Sequence, residues 1–271
     1  HVAGLFARAG KLNPDGKDRF EAEILKNCVS ILIASFRLTG FGKIQDDLLT
    51  LLRDGIPESR IPSAKRYEEC EKESLIAAGE LESSDRLFSA IAAVIHEHGL
   101  TKTTIERIAE KMGMAKSSLY FFSRNKETML AELVKKEIET MVTLCLKRVP
   151  AGKTFAEQLF IVMAVQANYL LMNPELFAVF NWIRYETMRV THDSAHHDIE
   201  AETFLGLFRL DEIFANDPDA RIKTIAVIKL AATLSTSVVL QSRRRGDDNK
   251  KTLKNIRVMH ESIFRGDKEI Q

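Results

Sequence analysis

Apolar residues recur at spacings of three and four along most of the chain. That is the pattern of amphipathic helices, not the alternation of half-buried strands. Helices are expected near 20–38 and 44–52, then in a tightly punctuated group between 84 and 130. Within that group Ser84 and Asp85 cap a helix carrying Leu87, Phe88, Ile91, Val94 and Ile95, which stops at His98-Gly99. A second helix starts at Thr103, with Glu106 three residues on as a capping box, and turns Ile105, Ile108, Ala109 and Met112 inward. Gly113 fills a tight turn. A short third helix follows over 115–122, and Asn125 caps a fourth that begins at Lys126. Longer core-forming helices are expected at 132–146, 155–172, 175–190, 221–240 and 249–264. Breaks fall at Pro150–Gly152, Asn173-Pro174, Asp193–His197, Ala215–Pro218 and Gly246–Asn249. The fold class is therefore all-α.

Composition changes little in this picture. Of the 271 residues 45% are hydrophobic and 28% charged, enough apolar material for a sizeable core. The formal net charge is +1, so a nucleic-acid-binding surface would be local rather than spread over the chain. The stretch from Glu68 to Glu82 is acidic and reads as a solvated connector helix. Cys28, Cys70 and Cys145 match no disulfide or metal framework, which suits a reduced, cytoplasmic protein. No apolar run reaches membrane-spanning length on this reading, so no membrane partner is expected. No signal peptide is visible, and the chain begins at His1 rather than Met, so His1 is read as other than the natural start.

The punctuated group has a helix-turn-helix layout. A recognition helix that enters the major groove needs small polar residues near its start, and Lys116, Ser117 and Ser118 supply them. Leu119 and Phe122 are placed to hold its other face to the scaffold. Thr103 and Thr104 sit at one helix start and Lys126 at another, where N–H groups and cations favour phosphate oxygens. The run Gly99-Leu100, Thr103-Thr104-Ile105, Ile108-Ala109, Met112 through Phe122 and Lys126-Glu127 resembles the N-terminal DNA-binding domain of the TetR family. Two positions depart from that pattern: Ala115 stands where a Ser usually caps the recognition helix, and Ser123 where a core Phe is usual. On this basis base contacts are expected from Lys116, Ser117, Ser118, Tyr120 and Phe121, and phosphate contacts from Thr103, Thr104 and Lys126.

The expected organisation is an N-terminal helical region (1–66), the acidic connector (67–83), the helix-turn-helix domain (84–130) and a helical ligand-binding and dimerisation domain (131–271). The N-terminal region has a resemblance of its own. Asn13–Phe20, with Ile24, Leu25, Val29, Leu38–Phe41, Ile44 and Leu48, is similar to the wing and following helices of MerR-family domains, and Leu5–Leu12 to the tail of their recognition helix. A degenerate repeat of the central unit, pairing Gly40 with Gly99 and Gly55 with Gly113, is an alternative. A small helical packing domain is another.

For the C-terminal part the TetR resemblance implies a small-molecule effector site and a homodimer closed by the last two long helices. The nearly uncharged 222–240 stretch calls for burial, with a twin subunit as one way to supply it. Met163, Gln166, Tyr169, Phe177, Phe180, Trp182, Tyr185 and Met188 combine soft apolar groups with polar handles and are the candidate effector-binding residues. The segment Thr191–Asp198 holds His192, His196 and His197 but reads as a polar loop, so no metal is expected. Arg243–Arg245 reads as a cationic cap on the preceding helix. No cofactor is expected, and no nucleophile–base arrangement supports an enzyme. The chain reads as a DNA-binding regulator of a double-stranded operator, acting as a ligand-responsive repressor. The alternative is a helical partner-binding or small-molecule-binding protein that has lost DNA binding.

Overall fold

The computed structural model describes residues 54–56, 61–80, 86–99, 102–122, 126–177, 205–209 and 220–265. The described residues are helical and contain no strand, as the spacing predicts. The helices expected at 20–38 and 44–52, the His-bearing loop at 191–198 and the break at 215–218 lie outside them.

The first described helix, α1 (Ala64–Glu73), starts at Ser63, whose side chain accepts from the Arg66 N–H. Despite its acidic composition it is not a solvated connector. Tyr67 and Cys70, three apart on one face, are buried, and Ser74 continues that stripe. A short 3-10 turn follows at Ala78–Glu80.

Helices α2 (Arg86–His98), α3 (Ile105–Met112) and α4 (Lys116–Phe122) come next. Helix α5 then runs unbroken from Lys126 to Arg148. The domain boundary drawn at 130/131 therefore falls inside a single helix, because neither Gly nor Pro interrupts the segment. The 3-10 turn Val149–Ala151 and Gly152 lead into α6 (Phe155–Met172), capped by Thr154. A Cβ on Gly152 would stand 2.8 Å from the Gln158 backbone nitrogen, so this close approach requires glycine.

Helix α6 is the axle of the second half. It is long and apolar enough to cross a membrane, contrary to the reading from sequence, but 83% of it is buried inside the fold. Helices α1, α5, α7 (Ala220–Arg244) and α8 (Asn249–Arg265) all pack against it. Helix α7 finds its cover on the same chain, between α6 and α8. Its burial therefore does not by itself call for a twin subunit. The outer side of α8 is polar, with Lys250, Lys251, Lys254 and Arg265 exposed.

Polar groups inside this half are satisfied locally, as buried polar groups must be. Ser235 donates to the Met163 carbonyl at 2.8 Å. The Gln158 side chain links to Leu207 O and Arg209 N at 2.8 and 2.9 Å. Arg243, expected as a cap on α7, lies with its guanidinium 4.7 Å over the Phe177 ring and donates to the Pro174 carbonyl. Cys70 and Cys145 are free and buried, and burial pushes their thiols up to about 11 and about 12.

Candidate nucleic-acid interface

Helices α2, α3 and α4 pack in sequence, α2 on α3 and α3 on α4. Leu87, Ile91, Val94 and Ile95 of α2 meet Ile105, Ile108, Ala109 and Met112 of α3 in the buried core. The turn between α3 and α4 is built on Gly113 at φ 66°, a left-handed position that disfavours any side chain. The Gly113 and Met114 N–H groups close the end of α3 onto the Glu110 and Ala109 carbonyls.

The start of α3 differs by one residue from the expected one. Thr104 is the N-cap, its hydroxyl accepting from the Arg107 N–H. Thr103 points inward instead: it is 1% exposed, and its hydroxyl donates to the Gly99 carbonyl at 3.0 Å. Of the two threonines only Thr104 faces solvent, so the phosphate contact expected of Thr103 has no exposed group to make it. Lys102, not singled out in the sequence, is exposed just before this helix start, and the Arg107 side chain donates to its carbonyl at 2.6 Å.

Helix α4 presents Lys116, Ser117 and Ser118 to solvent and buries Leu119 completely. Ala115 precedes it, and the Ser118 N–H reaches the Ala115 carbonyl at 3.0 Å, so the first turn closes without a hydroxyl cap. Tyr120 and Phe121 lie on α4, and Lys126 is the first residue of α5.

Lys116 pairs with Glu106 across the turn. The ammonium, with help from the Glu106 backbone N–H and the Thr104 hydroxyl, holds the Glu106 carboxyl down at about 2. The cation expected at the DNA is thus engaged by a carboxylate of its own helix-turn-helix. Replacing Glu106 by Gln is expected to raise affinity for duplex DNA by about two- to five-fold at low salt. Titration of labelled duplex by fluorescence anisotropy measures it, and equal or weaker binding by E106Q counts against competition at Lys116.

The candidate effector residues that are described belong to the packed interior. Met163 is fully buried in α6. Gln166 donates to the Thr236 hydroxyl at 2.7 Å, and Tyr169 donates to the Glu137 carboxylate. Phe177 lies under Arg243. Phe180, Trp182, Tyr185 and Met188 lie outside the described residues. Glu137 itself was not singled out. It is 6% exposed, and burial raises its carboxyl above the ordinary range against the lowering effect of Tyr169. Its spacing was the available signal, four residues after Leu133 and four before Met141, which places it on the inner stripe of α5. No group of His, Cys, Asp and Glu suited to a metal ion occurs among the described residues.

No curated protein sequence matches the chain. A solved structure similar to it is a TetR family transcriptional regulator, PfmR, from Thermus thermophilus. The two share 20% identity over 69% of this chain and 97% of that one, with a TM-score of 0.39, too low to carry an argument about fold. The MerR-type reading of the N-terminal region finds no support, because the family match lies entirely beyond it. Residues 87–133, which hold most of α2, all of α3 and α4 and the start of α5, match the family of bacterial regulatory proteins, tetR family.

Proposed function

We propose that this chain is a DNA-binding transcriptional regulator that reads its operator with α4. The observation that carries the reading is the division of that short helix, which turns Lys116, Ser117 and Ser118 outward and anchors on the buried Leu119. Small polar side chains let the helix approach base edges in the major groove, and Lys116 supplies the long donor. Tyr120 and Phe121 complete the proposed base-facing set. Thr104, Lys102 and Lys126 are the proposed phosphate contacts, at or beside the starts of α3 and α5.

The reading extends to a cytoplasmic repressor that acts as a homodimer, which would set two recognition helices in successive major grooves. It also extends to a small-molecule effector held in the helical domain. The Glu137–Tyr169 pair supports that site, since a buried carboxylate beside a phenol is a polar handle in apolar surroundings. Native mass spectrometry reads both claims at once, as the mass of a dimer and as that of any retained ligand.

The decisive experiment is binding to the DNA upstream of the chain's own gene across a salt series. The intact protein is expected to bind with an affinity that falls steeply with salt. Lys102→Ala is expected to lower the salt slope by about 1, the loss of one phosphate-neutralising cation. Lys116→Ala combined with Tyr120→Ala is expected to erase preference for that DNA over unrelated duplex. Binding that ignores both salt and these substitutions would leave the helical partner-binding alternative standing.

A further inference from the structure

Residues 61–80 lie outside the stretch that matches the tetR family yet hold both of its mechanical neighbours. On one side they run along α6 in the same direction. Near the start of α1 the Arg66 guanidinium reaches the Glu157 carboxylate at 2.8 and 2.5 Å, and Tyr67 OH meets His260 Nδ1 at 2.8 Å. Just past its end, Asn168 Nδ2 donates to the carbonyl and the hydroxyl of Ser74, each at 3.1 Å. Glu157 stands in the first turn of α6 and Asn168 one turn short of its end, so α1 is pinned at two levels of the axle.

On the other side the same segment grips the end of α5. Arg148, the last residue of that helix, is 7% exposed. Its Nε and Nη2 donate to the Leu75 carbonyl at 3.1 and 2.8 Å, Nη2 also reaches Glu80 Oε2 at 2.6 Å, and Nη1 returns to the Leu144 carbonyl at 3.1 Å. A planar guanidinium held by three acceptors in fixed directions has little rotational freedom. Two of those acceptors belong to the 61–80 segment, 73 and 68 residues away in sequence.

Helix α5 joins this anchorage to the DNA-facing end. It spans 23 residues, and Lys126 at its far end follows α4 closely. Its length is about 34 Å, so a tilt of about 5° at Arg148 would carry the other end about 3 Å. That is close to the ~3.4 Å spacing of successive base pairs along the duplex.

We propose that residues 61–80 are a built-in clamp that sets the angle of α5 through Arg148 and thereby the placement of α4 on DNA. Arg148 is a positioning residue in this scheme, since it touches no DNA. The coupling rests on the DNA-binding reading above; the clamp itself does not. Releasing the segment widens the range of α5 angles, and binding then loses the freedom it must freeze out.

The test uses the whole chain with two released forms. Arg66→Ala with Tyr67→Phe detaches α1 from α6 and α8, whereas Glu80→Ala cuts a single tie to Arg148 at a solvent-facing carboxylate and spares the core. Arg66→Lys keeps the ion pair to Glu157 and serves as the conservative control. Hydrogen exchange over 139–151 reports on the end of α5, and titration with upstream DNA reports on recognition, both well below the melting temperature of each variant. Faster exchange over 139–151 is expected in both released forms, with DNA affinity about five-fold or more lower, an unchanged salt slope, and recovery in Arg66→Lys. Unchanged exchange at the end of α5 in both forms sinks the clamp. Faster exchange with affinity within about two-fold of the intact chain sinks the coupling. Failure of the unaltered chain to bind upstream DNA overturns the DNA-binding reading and the coupling together, and the exchange arm still decides the clamp.

Discussion

Leu119→Ala is expected to destabilise the helix-turn-helix by about 2–5 kcal/mol, the usual cost of emptying a fully buried leucine site. The cost falls where little else holds α4. The helix has seven residues, too few to persist on intrinsic propensity, and depends on tertiary packing. Leu119 is its fully buried anchor among the described side chains and shares the core with Ile105, Ile108 and Met112 of α3. On the proposed reading its loss should therefore remove DNA binding without removing any of the proposed contact groups. Two measurements separate this from loss of a contact. Hydrogen exchange across 116–122 should speed up sharply in Leu119→Ala and remain slow in Lys116→Ala. Thermal melting should show an early transition for the first variant and an ordinary one for the second. A Leu119→Ala protein that keeps slow exchange in 116–122 would show that α4 is held by something other than its buried leucine.

The helix-turn-helix was legible because short-range chemistry specifies it. Gly99 and Gly113 sit at positive φ where two helices end, and the apolar residues of α2 and α3 keep strict helical spacing between those stops. The one-residue error at α3 has a local cause as well. Thr103 and Thr104 are chemically equivalent as caps, and only the inward hydrogen bond to Gly99 distinguishes them. The match at residues 87–133 covers this legible stretch. Misreadings cluster where the deciding contacts are remote. The acidic charges of 67–82 were plain in the sequence, whereas Tyr67 and Cys70 reveal their role only against α6 and α8, up to 193 residues further along. The burial that the 222–240 stretch calls for is supplied by α6 and α8 of the same chain, a contact that spacing alone does not name. Arg148 was not singled out in the sequence, and its acceptors lie 68 and 73 residues upstream. Residues such as these carry no periodic signal, because their function is to join elements rather than to form them.

His260 should make the helical half sensitive to mild acid. It is fully buried where α1, α6 and α8 meet. Nε2 faces the Ala156 carbonyl at 2.8 Å and must carry the proton there, so Nδ1 accepts from Tyr67 OH. The rings of Phe160 and Phe264 lie 5.3 and 4.7 Å away. Burial in this setting pushes the imidazole down to about 3, although the Ala156 bond pulls the other way. In the unfolded chain the same group titrates near the ordinary value of about 6.5. Between those values the unfolded chain binds the extra proton, so the stability is complete above about 6.5 and is lost progressively as pH falls toward 3. The slope approaches about 1.4 kcal/mol per pH unit for a single site. The carboxyls held low, Glu157 by Arg66 and Glu106 by Lys116, add their own loss only below the ordinary carboxylate range. Glu137, held high by burial, takes up its proton in the folded chain and opposes the trend. The window from about pH 5 to 6.5 is therefore the one in which the loss through His260 sets in, offset in part by Glu137 and by Glu71, which burial also holds high. His260→Gln should cost about 1–3 kcal/mol at neutral pH, since a flexible amide must be frozen to serve both Tyr67 and Ala156 and leaves unfilled the ring's place between Phe160 and Phe264. It should also flatten the pH dependence in that window. Urea unfolding at several pH values, followed by circular dichroism, measures both effects, and an equally steep loss of stability in the Gln variant would assign the acid sensitivity elsewhere.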